Sequence, residues 1–168
     1  MTRIIRWIAA LALSTSTSIT AARAEAQTAQ DLVGTWALVS AAIHSGSSGD
    51  VNLEPFGPDP SGTLIFGSDG HYALIFLRRD LPKVLSNNRI SQTAEESRAI
   101  AKGSIAHFGT YRVDETGRFF VFRIESSTFP NWSGAEQRRP FTLSGDGLTY
   151  ISPGSTGVAT EVVLRRAK

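Results

Sequence analysis

LVGTWALVS, residues 32–40, opens the first stretch of this chain that reads as folded. Trp36 and Leu38 fall on one face of a strand, because successive side chains alternate. A large indole at the start of a first strand needs something to pack against. The partner stands at the other end of the chain, where VVLRR occupies residues 162–166. If Glu161 faces water, Val163 and Arg165 share its face. Thr160, Val162, Leu164 and Arg166 then face inward. An Arg166 guanidinium laid on the Trp36 indole is a cation–π contact worth roughly 0.5–2 kcal/mol. The reading therefore makes the first and last strands neighbours and closes the sheet.

The segments between these ends support a closed sheet. Gly/Asp-rich turns at Ser68-Asp69-Gly70, Asp114–Gly117, Ser144–Gly147 and Ser152–Gly157 separate short β-rich runs, the pattern of antiparallel hairpins. Eight strands are expected, at about 33–44, 61–67, 71–78, 107–113, 118–126, 136–143, 148–151 and 158–166. Residues 91–102, SQTAEESRAIAK, lack strand character. Ser91 or Thr93 can cap a helix there, with acids in its first turn and Lys102 near its end. A short helix across the barrel, between the third and fourth strands, is expected. Residues 45–60 and 79–90 read as loops. The fold class is thus all-β, an eight-stranded antiparallel up-and-down barrel with one helix. Closure removes the open edges, and eight strands leave room for side chains or one small ligand.

The first two dozen residues read differently. Arg3 and Arg6 precede the apolar run Trp7–Leu13, which gives way to Ser and Thr at residues 14–18. Ala22-Arg23-Ala24 and Ala24-Glu25-Ala26 follow as small-residue cleavage sites. This is the order of a secretory leader over residues 1–24, with cleavage after 24 or 26. The apolar run is too short for a spanning helix, which needs about 20 residues, so no stable membrane insertion is expected after cleavage. The whole chain carries 17 Lys+Arg against 15 Asp+Glu, with a pI near 9.3. Three of those arginines lie in the leader, so the remaining domain is near neutral. That does not suit nucleic acid, which calls for a clustered basic face. The chain has no cysteine, which excludes disulfides and thiol chemistry. Location in the periplasm or outside the cell is expected.

The chain resembles the lipocalin-like domain family of small bacterial and fungal proteins. The matching residues are Gly34-Thr35-Trp36, Gly57–Gly62, Ser68-Asp69-Gly70, Gly109–Asp114 and Phe129-Pro130-Asn131-Trp132, followed by Gly134, Gln137 and Arg139. The resemblance runs from about residue 31 to 166 and implies a barrel with a cavity in a domain spanning 31–168. Some relatives place a histidine near Phe122–Arg123. This chain has none there, so His-dependent chemistry of such relatives does not carry over.

Motifs for chemistry are sparse. His44, His71 and His107 show no metal-ligand spacing, and no cofactor or metal is expected. No G-x-S-x-G elbow is present. Gly154–Gly157 lacks the lysine and helix of a phosphate loop. The aromatics carry more information. Outward Arg123 and Glu125 leave Phe120, Phe122 and Ile124 inside. Outward Arg112 leaves His107, Tyr111 and Val113 inside. Trp132 stands in a Pro/Gly-bounded loop as a rim residue or as loop packing. Phe141 and Leu143 facing inward bring Arg139 to the same face, unless a bulge at Pro140 reverses the order.

Two functions that use a cavity fit these residues, beside a third reading of a largely filled barrel with an envelope or stress role. In one, the exported barrel binds a small, mostly apolar and, if Arg139 faces inward, acidic ligand against Tyr111, Phe120, Phe122, Trp132 and Arg139. In the other, the same cavity serves a cofactor-free isomerase or cyclase, with His107 or Tyr111 moving the proton. A structural alternative ties Arg139 to loop carbonyls around Asn131. The oligomeric state is left open.

Overall fold

The computed structural model describes residues 26–45, 50–155 and 157–168. The leader assigned to residues 1–24 lies outside them. Nine strands are present among the described residues: β1 (Gly34–Ser45), β2 (Asp50–Leu53), β3 (Pro60–Phe66), β4 (His71–Arg78), β5 (Ser104–Val113), β6 (Phe119–Ser127), β7 (Glu136–Ser144), β8 (Gly147–Ser152) and β9 (Thr160–Arg166). Every neighbouring pair from β3 to β9 is antiparallel and consecutive, and β1 pairs with both β3 and β9. Eight of the nine strands therefore form a closed up-and-down barrel.

The ninth strand corrects the expectation of a loop over 45–60. β2 pairs only with the far end of β1, through Ile43–Leu53 and the residues beyond. β1 outruns β9, and its last residues would otherwise present an unpaired edge. The sequence hid this strand because four residues among Gly, Ser and Pro give too short a pattern to read.

Closure occurs where the ends of the chain meet. Trp36 pairs with Arg166 and Leu38 with Leu164, and a bulge at Val39 then shifts the register. A second bulge lies opposite Gly109, where Glu125 is the extra residue of β6. Gly109 is required there, because a Cβ would collide with the Arg123 carbonyl oxygen and the Glu125 amide.

Two helices serve the barrel's ends. α1 (Ala29–Leu32), absent from the sequence reading, lies under the closed end and sends Leu32 fully into the core. α2 (Ala94–Lys102) lies between β4 and β5, which are the third and fourth strands of the barrel. Thr93 caps it, accepting from the Glu96 amide while the Glu96 carboxylate accepts from the Thr93 amide. No α2 residue is buried, so the helix flanks the barrel's mouth and adds little to the core. Its thin apolar stripe of Ala94, Ile100 and Ala101 explains this.

Aromatic rings fill the interior from the closed end upward. Phe66, Phe120 and Phe122 pack together with Tyr111, Phe141 and Tyr150. Tyr72 stacks on Phe122 with ring centres 3.8 Å apart. Burying each such ring stabilises the barrel by roughly 1.5–3 kcal/mol.

Candidate functional site

Above the Phe122 layer the packing stops and a small cavity begins. Strand alternation delivers its walls: Leu74 and Phe76 from β4, His107 from β5, Arg139 from β7, Tyr150 and Ser152 from β8, and Thr160 and Val162 from β9. Phe56, Ile105 and Trp132 close in from above. The cavity measures about 70 Å3. That admits water, for which roughly 10–15 Å3 suffices, but it is far below the roughly 300–1,000 Å3 of a whole drug-sized ligand site. It continues into a vestibule of about 1090 Å3 between the barrel rim and α2. Pro55, Phe56, Ile105 and Ser155 line both spaces. Leu81, Ile100 and Phe129 add apolar surface to the vestibule.

The buried polar groups concentrate at this level. Among the described residues the buried polar or charged side chains are His107, Gln137, Arg139, Ser152 and Thr160. All but Gln137 line the cavity, and Gln137 serves Arg139. The Arg139 Nη2 donates to Gln137 Oε1 at 2.6 Å. Arg139 is only 1% exposed, and its Nε has no partner. The guanidinium carbon lies 4.8 Å from the Phe122 ring centre, 5.4 Å from that of Tyr150 and 5.9 Å from that of Trp132. The Tyr150 hydroxyl is buried beside it, again without a partner of good geometry.

Burial shapes the ionisation of this cluster. It lowers the Arg139 pKa, offset in part by Tyr150 and Tyr72. Burial pushes the Tyr150 phenol up to about 12, against the pull of Arg139. Tyr72 is raised for the same reason. His107 pairs with the Tyr72 hydroxyl through Nδ1 at 2.9 Å. Burial, and then the Arg139 charge, lower its pKa to about 3. The site therefore holds neutral imidazole and neutral phenols around one cation. Among the described residues no three His, Asp or Glu side chains gather as a metal-binding group.

The residues expected at the site divide into two groups. His107, Trp132 and Arg139 come together on the cavity wall. Trp132 sits in a 3-10 turn, Pro130–Trp132, edge-on to both Phe129 and His107. Tyr111, Phe120 and Phe122 are not among the lining residues. Phe120 and Phe122 are fully buried in the aromatic core beneath. Tyr111 is buried toward the closed end, where its hydroxyl donates to the Gly67 carbonyl at 3.0 Å. The expected parity of Arg139 holds through Pro140, since Phe141 and Arg139 are both buried and Arg138 is exposed. Its partner is Gln137, not a carbonyl of the Asn131 loop. Arg138 instead pairs with Asp114 outside.

At the other end, the Arg166 guanidinium carbon lies 4.2 Å from the Trp36 ring centre. It donates to the Val33 carbonyl at 2.8 Å and to that of Asp31 at 2.7 Å. The Trp36 indole N–H donates to Leu32 O at 2.8 Å. This group plugs the barrel and takes no part in the cavity.

Sequence reasoning did not place Tyr72, Tyr150 or Ser152 at the site, and it named Gln137 only as a residue that matches the family. Gln137 and Tyr150 were within reach of it: Gln137 shares the parity of Arg139, and Tyr150 that of Leu148. Tyr72 was masked by HYALIFL, whose continuous apolar run conceals alternation.

The fold and cavity define a small calycin-type barrel. The chain belongs to the lipocalin-like domain family, which it matches over residues 33–162. Among solved structures it is similar to a lipocalin-like protein from Bacteroides uniformis ATCC 8492, at 16% identity and TM-score 0.45, covering 82% of this chain and 99% of that one. It is also similar to a redesigned β-barrel, at 14% identity and TM-score 0.45, covering 87% of this chain and 100% of that one. No curated protein matches the sequence.

Proposed function

We propose that this protein is an exported carrier or sensor that binds a small, mostly apolar molecule through the open end of its barrel. The observation that supports this most is the stepped interior: a wide vestibule of mixed polarity narrowing onto a small, largely apolar cavity with His107, Arg139 and Tyr150 in its wall. A barrel serving only as a rigid body would bury these polar groups at a cost. A ligand in the vestibule lies against the apolar patch of Phe56, Ile100, Ile105 and Phe129, with Glu54, Arg78, Asp80 and Lys102 around it, and its inner end meets Arg139, Tyr150 and Trp132. The isomerase or cyclase reading is supported less. A working base needs a pKa near the operating pH, whereas His107 is held near 3, and Tyr111 points away from the cavity.

Export is proposed on the leader pattern. Native mass spectrometry of the protein purified from the compartment it is exported to tests the binding reading. A retained small molecule is the expected result. A bare protein mass in every preparation, with no uptake of apolar compounds, would count against it.

A further inference from the structure

We propose that the inner cavity is a carboxylate site: a monocarboxylic acid places its head between the Arg139 guanidinium and the Tyr150 hydroxyl and leaves its apolar tail in the vestibule. This rests on the binding function above and names its ligand class.

The charge balance of the site carries the argument. None of the ion pairs among the described residues includes Arg139. Its one well-aligned hydrogen-bond acceptor is the neutral Gln137 amide, with the neutral Tyr150 oxygen beside it at poorer geometry. The other buried polar residues are His107, Ser152 and Thr160, none of them an acid. A buried guanidinium without a counter-charge is costly, and an anion at this level removes that cost. Two buried donors already lack acceptors, Arg139 Nε–H and Tyr150 O–H. A carboxylate has two oxygens and can accept from both. The Tyr150 phenol remains protonated and able to donate across the physiological range.

Size and charge narrow the class further. A space of about 70 Å3 suits a head group and excludes a whole ligand. The tail must therefore lie outside, against Phe56, Ile105, Phe129 and Ile100. A single cation balances a single negative charge. A phosphate dianion would leave one charge unbalanced among Leu74, Phe76, Ile105 and Val162, and it needs more room.

Calorimetric titrations test the proposal with two matched pairs, octanoate with octan-1-ol and 2-naphthoate with 2-naphthalenemethanol. The wild-type protein is expected to bind at least one acid about 10–100-fold more tightly than its alcohol, the worth of a charged hydrogen bond. Arg139→Met should abolish that preference. Tyr150→Phe, which removes a single oxygen and leaves the ring packed, should reduce it several-fold in a protein with unchanged circular dichroism. Equal binding of acids and alcohols, insensitive to Tyr150→Phe, would overturn the carboxylate site while leaving the apolar-binding function standing. Failure of all four compounds to bind would overturn both.

Discussion

Two arginines on inward faces do opposite work. Arg166 has its acceptors supplied by the protein: the Val33 and Asp31 carbonyls, with the Trp36 ring beneath. Arg139 has one well-aligned acceptor and an idle Nε. Arg166→Ala removes the ring contact and two hydrogen bonds, and should destabilise the fold by about 2 kcal/mol. Thermal denaturation should show a lower Tm, while ligand affinity at the other end of the barrel stays unchanged. His107 makes a separate prediction. Its pKa falls from an ordinary 6.5 to about 3 because burial disfavours the imidazolium. The unfolded chain then takes up a proton that the native state refuses, so stability present above about 6.5 is lost as the pH falls toward 3. The slope approaches about 1.4 kcal/mol per pH unit. Urea titrations between about pH 6 and pH 5, above the range where carboxylates protonate, should show this slope flattened in His107→Gln.

Single elements are shaped by close approach as much as by propensity. β5 and β6 hydrogen-bond across a bulge, and Gly109 lets the backbones meet. Gly109→Ala forces a methyl group onto the Arg123 carbonyl, an overpacking that costs about 1–3 kcal/mol or more. Chemical denaturation should show that loss. Because β5 carries His107 and β6 carries Phe122, displacement of this pair should also loosen the cavity floor. α2 is a weaker element. Its stability comes from the Thr93–Glu96 capping box and from Glu96 accepting the Leu85 amide, since none of its side chains is buried. Thr93→Ala should cost the helix about 1 kcal/mol. Hydrogen exchange should detect this as faster exchange confined to α2 and the loop before it, with the global Tm little changed.

The whole molecule combines a packed lower barrel with a hollow upper one. Rings from β3, β4, β5, β6, β7 and β8 fill the lower part. The upper part is left to Leu74, Phe76, Val162 and the polar cluster around Arg139. At this scale the remaining prediction concerns export. The mature protein should begin at Glu25 or Gln27, which N-terminal sequencing of the exported form will read directly. Met1 on protein recovered from the cytosol alone would refute it.

The sequence by itself determined the barrel, its closure and the facing of its strands. These follow from alternation, which is local: each residue's side is set by its neighbours two positions away. Trp36, Leu164 and Arg166 could be placed on inner faces for that reason, whereas the facing of Arg139 stayed open in the sequence because a bulge at Pro140 would reverse it. Alternation says which side a residue takes but not the height at which it lies along the barrel axis. Height depends on strand stagger and on bulges such as those at Val39 and Glu125, which are set by pairing between distant strands. Only the tertiary structure therefore decided that Tyr111, Phe120 and Phe122 lie below the cavity, and that His107, Arg139 and Tyr150 meet at one level. The same stagger decided the size of the space between them, because ring volumes contributed by separate strands fill the barrel up to Phe122 and no further.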